Sequence, residues 1–308
     1  MTRSLAPVVV FAYNRPVHLQ RTLDALAACR LAAQTAVHVF ADGARKPEAA
    51  GAVAEVRAVL EREARAGRFA SFHAQASDTN LGLANSIIRG VGQVIAGSER
   101  VIVLEDDLLV SADFLEFMND CLAYYAENAL VGAITGFCPL HALPTGVEGD
   151  VFLAMRNSSQ GWATWGRVWN GVDWSAAGME RLERDRSLRR AFNREGNDRY
   201  DRLRRQLAGR IDSWSIRFGL SLFLRGLGTV YPAVNRVGNI GYDGSGVHSG
   251  VGTPKNERVV ESPYALRRVT LDPAVQRALH RTYSGSLRGR LLREALAAWP
   301  ALAARLGR

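Results

Sequence analysis

The sequence lacks the features that mark several large classes of protein. It has only three cysteines in 308 residues (Cys29, Cys121 and Cys138), too few and too scattered for a disulfide framework or a metal knuckle. This usage fits a reducing compartment. No stretch of about 20 apolar residues occurs, so no membrane-spanning helix is predicted. The first apolar run is too short for a secretory signal, and we therefore expect a cytoplasmic protein.

Two common nucleotide-binding signatures are also missing. No Gly-x-Gly-x-x-Gly follows the first predicted strand, which argues against a dinucleotide-dependent dehydrogenase. No Gly-x-x-x-x-Gly-Lys-Ser/Thr occurs, which argues against a P-loop enzyme. The sequence contains neither internal repeats nor low-complexity tracts. Hydrophobic residues make up 47% and charged residues 22%, which are globular values and exclude disordered and collagen-like chains.

The charge balance is basic and predicts an anionic partner. Lysine and arginine together number 39 against 30 acidic residues, a formal net charge of +9. A nucleotide-linked substrate, a membrane surface and nucleic acid would each suit this charge. Because no RNA-binding or helix-turn-helix signature is present, nucleic acid is not expected.

The first half of the sequence alternates short apolar runs with helical patterns. This alternation predicts an α/β fold with a doubly wound, mostly parallel sheet and helices on both faces. In such folds ligands bind at the carboxyl ends of the strands. The predicted strands cover residues 7–12, 35–41, 69–75 and 101–104.

Polar residues follow three of these strands. The first strand leads into Tyr13-Asn14-Arg15, the second into Asp42, and the fourth into Glu105-Asp106-Asp107. Three adjacent carboxylates repel one another, and a divalent cation or sugar hydroxyls would offset that cost. The alternative is that Asp106 or Asp107 caps a helix that begins near Ser111.

The second half, after about residue 149, has a different character. Among its crowded tryptophans, Trp165 and Trp169 have helical spacing and are expected in the core, whereas Gly161 and Trp162 are acceptor-site candidates. The stretch from 180 to 210 has eleven arginines against six acids and is predicted to be helical. It forms either a solvated face or, with the basic amphipathic segment 287–308, a surface that docks on anionic lipid.

Seven short motifs occur in an order and spacing that resemble a known family. The chain is similar to GT-A-fold glycosyltransferases of the bacterial family-2 type and of the N-acetylglucosaminyltransferase I type, over about residues 8–250. The motifs are Phe-Ala-Tyr-Asn-Arg-Pro (11–16), Ala-Asp-Gly (41–43), Asn-Leu-Gly (80–82), Leu-Glu-Asp-Asp-Leu (104–108), Gly-Trp-Ala-Thr-Trp (161–165), Ile-Asp-Ser-Trp (211–214) and Asn-Ile-Gly-Tyr-Asp-Gly-Ser-Gly-Val-His (239–248).

The resemblance implies a GT-A-type fold with a C-terminal acceptor-side elaboration. Residues 1–136 would bind the nucleotide sugar, 137–265 would bind the acceptor and carry catalysis, and 266–308 would form a basic amphipathic tail. The implied activity is a metal-dependent, inverting sugar transfer from a nucleoside-diphosphate sugar, most simply a UDP-sugar such as UDP-N-acetylglucosamine. The acceptor would be a saccharide or lipid-linked, in bacterial surface glycan synthesis. A nucleotidyltransferase of the same sheet type and a non-enzymatic basic module are the alternatives.

The resemblance also assigns roles to individual residues. Asp107 would bind Mn²⁺ or Mg²⁺. Apart from the resemblance, His248 lies in a glycine-rich loop that can fold over a diphosphate, which makes it a candidate second metal ligand or phosphate contact. Asp212 would be the catalytic base; alternatively it only caps the helix that begins at Ser213. Asp243 either joins Gly161 and Trp162 as an acceptor-site candidate or only binds the backbone of its own loop. The donor-binding residues would be Tyr13, Arg15, Asp42, Asn80, Gly82, Glu105 and Asp106. The tail would hold the protein peripherally on the inner face of the cell membrane.

Overall fold

The structure, a computed structural model, describes residues 4–244 and 258–284. These residues form ten strands and ten α-helices. The strands are β1 (Val8–Ala12), β2 (Ala36–Ala41), β3 (Ser71–Ala76), β4 (Arg100–Glu105), β5 (Leu108–Val110), β6 (Val131–Thr135), β7 (Val151–Ala154), β8 (Trp162–Trp165), β9 (Gly228–Pro232) and β10 (Val237–Asn239). The helices are α1 (Pro16–Ala27), α2 (Ala50–Ala66), α3 (Leu83–Ala96), α4 (Phe114–Tyr124), α5 (Gly166–Trp169), α6 (Met179–Arg184), α7 (Arg186–Phe192), α8 (Asp198–Leu207), α9 (Trp214–Leu224) and α10 (Pro273–Ser284).

Eight of the strands form one mixed sheet, in the order β3-β2-β1-β4-β8-β6-β9-β7. Six of them run in the same direction, and only β8 and β7 are reversed. The predicted α/β fold with a mostly parallel sheet is therefore confirmed. The predicted halves of the chain, divided after residue 136, share this one sheet. Strand β8, from the second half, lies between β4 and β6 of the first half.

The central strands form where the sequence has continuous apolar runs. Every residue of β1 is buried, and so are the four central residues of β4. A strand covered on both faces has no need for polar alternation, which explains its uninterrupted apolar sequence. Val10 pairs with Val39 of β2 on one side and Leu104 of β4 on the other.

Helices cover both faces of the sheet. Trp162 and Trp165 of β8 point to opposite faces because they are three residues apart in a strand. The Trp165 indole donates a hydrogen bond to the Leu122 carbonyl of α4 (3.1 Å), whereas Trp162 packs on Trp214 of α9 at 4.7 Å between ring centroids. Helices α3 and α9 contact each other, as do α1 and α2. No described helix is both long and apolar enough to span a bilayer.

The structure corrects one local prediction and confirms another. A short strand, β5, follows the acidic residues and pairs antiparallel with β10, and α4 begins only at Phe114. Asp106 and Asp107 therefore lie in a turn between two strands, and the prediction that one of them caps a helix is wrong. The arginine-rich stretch is helical, as predicted. It forms three helices, α6 to α8, and the side chain of Asp185 caps α7.

Candidate active site

The three acidic residues form a turn at the carboxyl end of β4. Asp106 and Asp107 are buried, and both pair with one cation, Arg15, which directly precedes α1. Arg15 contacts Asp106 through a short hydrogen bond and Asp107 at 3.0 Å between Nη2 and Oδ2. The Tyr13 backbone N–H also points to Asp106 Oδ2, at 3.4 Å. Strands β1 and β4 are adjacent, so the ends of neighbouring strands bring Arg15 onto the acidic turn.

One arginine does not neutralise three carboxylates. Burial raises the pKa of the Glu105 carboxyl to about 8, and repulsion from Asp107 and Asp106 adds to the shift. Burial also raises the pKa of Asp106 to about 6, against the opposing attraction of Arg15. No described residue donates a hydrogen bond to the Glu105 carboxyl group. The buried carboxyl groups of the turn therefore lack sufficient counter-charge and hydrogen-bond donors. A cation or hydroxyl groups of a ligand would stabilise them.

The next part of the edge is the junction between the ends of β2 and β3. Asp42 accepts three backbone hydrogen bonds: from Gly43 and Leu81 to Oδ1 (3.0 and 2.8 Å) and from Gly82 to Oδ2 (3.0 Å). Asn80 donates to the Gly43 carbonyl at 2.8 Å. Because a carboxylate offers about four acceptor positions, Asp42 is largely occupied in joining the two loops and keeps one position for a ligand.

Asp212 reaches the same edge from the second half of the chain. Its Oδ2 accepts a hydrogen bond from the Ala84 backbone N–H in the first turn of α3, at 3.3 Å. Gly82 has a φ of +77°, and a Cβ there would lie 3.1 Å from Asp212 Oδ2. Helix α9 begins after Ser213 without a side-chain cap, so the prediction that Asp212 caps α9 is wrong. The carboxylate instead faces the start of α3, beside the loop at residues 80–82.

These residues line one cavity of about 450 Å³ at the edge where β1, β2 and β4 end, a size in the range of small-molecule sites. It brings together every predicted donor residue, Asp107 and Asp212. Five carboxylates and three arginines line it: Asp42, Glu105, Asp106, Asp107, Asp212, Arg15, Arg45 and Arg202.

The carboxylate groups that line the cavity are suitable ligands for a hard divalent cation. Carboxylate oxygens suit Mg²⁺ and Mn²⁺, and the excess of carboxylates over arginines would favour such an ion beside an anionic ligand. Among residues 4–244 and 258–284, no three His, Cys, Asp or Glu side chains are arranged to hold a metal by themselves. Mg²⁺ is commonly bound through one or two carboxylates together with substrate phosphates, and a site of that kind needs no such cage.

None of the three predicted acceptor residues, Gly161, Trp162 and Asp243, lines this cavity. The Trp162 side chain is 1% exposed and lies between the rings of Trp214 and Trp169, at 4.7 and 5.7 Å. A ring so enclosed has no face for a sugar, so we assign Trp162 to the core. Gly161 has a φ of +56°, and a Cβ there would lie 2.7 Å from Val237. Gly161 therefore permits close packing against β10.

The remaining predictions concern the segment after β10. The Asp243 carboxylate pairs with His18 Nε2 of α1 at 3.1 Å, and its neighbour Tyr242 lines the cavity. Asp243 therefore lies beside the cavity and contacts the first turn of α1. His248 lies outside the described residues.

Sequence reasoning missed several cavity residues from the second half of the chain. They are Ser159, Gln160, Arg202, Asn239 and Tyr242, together with Ser86 of α3. Arg202 lies within the arginine-rich stretch, and nothing in the spacing of its arginines distinguishes it from the solvated ones. Asn239 and Tyr242 fall inside the motif at 239–248, so the resemblance contained that signal.

The raised pKa of Glu105 predicts a pH-dependent gain in stability for Glu105→Gln. Between about pH 4.5 and pH 8 the folded protein retains a proton that the unfolded chain releases, so stability falls as pH rises through this window. Glutamine mimics the protonated form. We expect Glu105→Gln to be close to the native protein near pH 5 and to exceed it by about 4 kcal/mol near pH 8.5.

This comparison is best made by urea unfolding with chelator and without nucleotide. Glu99→Gln, at the exposed opposite end of the same stretch of chain, is the matched control and should show no such divergence. Parallel stability curves for Glu105→Gln and the native protein from pH 5 to pH 8.5 would contradict the assigned shift.

Comparison with known proteins gives similarity at the level of structure only. No family model and no curated protein matches this sequence. A crystal structure of S. aureus TarS residues 1–349 aligns over 73% of this chain and 60% of that one, with 12% identity and a TM-score of 0.40. The galactosyltransferase LgtC, in complex with donor and acceptor sugar analogs, aligns over 72% of each chain, with 14% identity and a TM-score of 0.39.

The chain spans less than two thirds of the TarS chains it matches. A second crystal structure of S. aureus TarS aligns over 51% of this chain and 28% of its own length, with 14% identity and a TM-score of 0.36. The donor and acceptor sugar analogs are ligands of LgtC.

Proposed function

We propose that this chain is a metal-dependent, inverting glycosyltransferase that uses a nucleoside-diphosphate sugar. The observation that carries the proposal is the cavity at the sheet edge, where five carboxylates and three arginines converge from both halves of the chain. A sugar nucleotide offers both hydroxyl donors for carboxylates and an anionic diphosphate for arginine and a cation. UDP-sugars, with UDP-N-acetylglucosamine as one candidate, are the donors that the motif resemblance favours.

The donor contacts follow from the free polar atoms of the edge. Asp42, with one acceptor position left, would receive the base, and the loop at Asn80 and Gly82 would lie along the nucleoside. Glu105 and Asp106 would accept hydrogen bonds from sugar and ribose hydroxyls. Hydrogen bonds from these hydroxyl groups would reduce the repulsion between the carboxylates of the acidic turn. Binding of the nucleotide sugar is therefore coupled to the charge of that turn.

In the proposed reaction an acceptor hydroxyl attacks the anomeric carbon of the donor sugar. Asp212 takes the hydroxyl proton as the new carbon–oxygen bond forms. The bond from the anomeric carbon to the diphosphate oxygen breaks, and the nucleoside diphosphate leaves with the electron pair. Asp107 would hold Mn²⁺ or Mg²⁺, which when bound neutralises charge on the departing diphosphate.

The proposed acceptor is a saccharide or a lipid-linked saccharide in bacterial surface glycan synthesis. Residues 1–136 would form the donor half and 137–265 the acceptor half. The basic charge of the chain suits a protein that works at an anionic membrane surface from the cytoplasmic side. The segment 287–308, which would make this attachment, lies outside the described residues.

Thermal unfolding with a panel of nucleoside diphosphates tests the proposed function. We expect one nucleotide with Mn²⁺ to stabilise the native protein by about 2.7 kcal/mol at 100 times its dissociation constant. Chelator should abolish the shift. Asp107→Asn should lose most of it, because the amide cannot neutralise a divalent cation.

Asp78→Asn is the matched control, since Asp78 is fully exposed in the loop after β3 and should leave the shift unchanged. A shift confined to nucleoside triphosphates, with release of pyrophosphate, would indicate a nucleotidyltransferase. The absence of a shift with any nucleotide would overturn the proposed function.

A further inference from the structure

A second cavity, of about 470 Å³, adjoins the acidic one. It lies between the segment 156–160, helix α8, the start of α9 and the end of α10. The two cavities share five lining residues: Ser159, Gln160, Arg202, Asn239 and Tyr242. The start of α9 connects them further, because Asp212 lines the first cavity and Ser215, three residues later, lines the second. A ligand in the second cavity would therefore lie next to the proposed base.

The charge of the second cavity is opposite to that of the first. Its lining contains Arg156, Arg199 and Arg202 and no carboxylate. Arg156 is already neutralised, because its guanidinium makes two hydrogen bonds of 2.8 Å to Asp198. Its guanidinium carbon also lies 3.6 Å from the centroid of the Tyr283 ring. The positive character therefore comes from the other two arginines.

Arg199 contributes charge, and three of its five N–H donors are already used within the protein. Its guanidinium donates to the carbonyls of Phe192 (2.8 Å), Met155 (3.1 Å) and Gly219 (3.4 Å) and stacks on the Phe192 ring. Burial lowers its pKa to about 10, and repulsion from Arg156 adds to this. The carbonyl oxygens accept hydrogen bonds without cancelling the charge of the guanidinium, so Arg199 adds positive charge to the lining of the cavity.

Arg202 has the free donors. It makes no hydrogen bond and no ion pair with a described residue, although it lines both cavities. Burial lowers its pKa and the nearby Arg156 lowers it further, against the weaker attraction of Asp198, whose carboxylate is already bonded to Arg156. A partly buried guanidinium beside two other arginines is stabilised by an anion, and its planar fork suits a carboxylate or phosphate. The surrounding Ser158, Ser159, Gln160 and Thr282 offer neutral donors and acceptors that suit sugar hydroxyls.

We propose that the second cavity binds the acceptor, and that this acceptor is a saccharide carrying a carboxylate or phosphate group held by Arg202. The inference rests on the proposed function and adds the class of acceptor. The anionic group lies at the junction of the cavities, and the hydroxyl to be glycosylated faces Asp212.

Direct binding of small probes to the full chain tests this proposal without requiring turnover. The probes are methyl glucuronide, glucose 1-phosphate and, as the neutral control, methyl glucoside, each titrated by NMR or calorimetry without nucleotide. We expect at least one anionic probe to bind about 10- to 100-fold more tightly than the neutral one. The comparison of methyl glucuronide with glucose 1-phosphate shows whether the site prefers a carboxylate or a phosphate. Arg202→Gln should abolish this difference.

Arg204→Gln is the matched control, because Arg204 lies on the same helix, is exposed and does not line either cavity; it should keep the preference. Equal binding of neutral and anionic probes would overturn the proposal even if nucleotide binding is intact. Loss of the nucleoside-diphosphate shift in Arg202→Gln, with unchanged probe binding, would overturn it too and assign Arg202 to the donor. Failure of the proposed function itself is recognised separately, by the absence of any nucleotide shift in the native protein.

Discussion

Replacement of Asp212 by asparagine is expected to lower the turnover number for sugar transfer by about 10²- to 10⁴-fold, the range for loss of a general base. Asparagine preserves the size of the side chain and an oxygen that accepts the hydrogen bond from Ala84. The start of α3 should therefore stay in place, and with it the loop at Gly82. Because the change removes only the ability to take a proton, the loss should fall on kcat, with KM for the donor nearly unchanged.

A steady-state assay of nucleoside diphosphate release, combined with the thermal shift for nucleotide, checks this prediction. Asp185→Asn is the matched control: Asp185 also accepts backbone hydrogen bonds at a helix start, but it lies outside both cavities, and its variant should keep full turnover. If Asp212→Asn retains turnover within about threefold, Asp212 only fixes the start of α3, and the proton must leave by another route.

The central strands are predictable because their burial appears directly in the sequence. The predicted ranges 7–12 and 101–104 compare with β1 at Val8–Ala12 and β4 at Arg100–Glu105. Parallel strands in one sheet place their carboxyl ends on the same edge. For this reason the strand pattern alone predicts that Arg15, Asp42 and the acidic turn meet.

Strand β5 is not predictable in this way. It has only three residues, and its partner β10 lies more than 120 residues further along the chain. A segment this short has no measurable periodicity, and its conformation is decided by a non-local pairing. The same limit explains why the sequence leaves a helix-capping alternative open for the acidic residues.

The second cavity is hidden from sequence reasoning for a related reason. Arg202 is one of eleven arginines in the stretch from 180 to 210, and its neighbour Arg204 on α8 is exposed. The two arginines differ in environment because α8 packs against α9. This packing places Arg202 in the same cavity lining as the segment 156–160. Charge counting locates the basic region, whereas the role of each arginine depends on tertiary contacts.

The buried ion pair between Arg236 and Asp113 is expected to be the most important charged contact for stability. Their side chains are 1% and 2% exposed, and Arg236 Nε lies 3.0 Å from Asp113 Oδ2. Arg236 also donates to the Ser262 carbonyl at 2.6 Å, and its guanidinium carbon lies 4.4 Å from the Phe117 ring centroid. Removing one partner of such a pair leaves an uncompensated buried charge.

Arg236→Met should therefore lower the free energy of unfolding by about 3–5 kcal/mol, as measured by urea denaturation. Arg184→Met is the control, because Arg184 pairs with Glu180 on an exposed helix surface and its loss should cost less than about 1 kcal/mol. The double variant Arg236→Met/Asp113→Leu should recover part of the loss, since it removes the stranded carboxylate. Equal losses for the two single variants would contradict the assignment.

The position of this ion pair connects stability to the proposed chemistry. Arg236 directly precedes β10, whose pairing with β5 holds the strand that follows the acidic turn. The Ile240 backbone N–H, just after β10, donates to the Asp107 carbonyl at 2.9 Å, and Asn239 and Tyr242 line both cavities. Arg236→Met should thus weaken the nucleotide-dependent thermal shift in the fraction that still folds, whereas Arg184→Met should leave it intact. A destabilised Arg236→Met protein with a full nucleotide shift would show that β10 keeps its place without this ion pair.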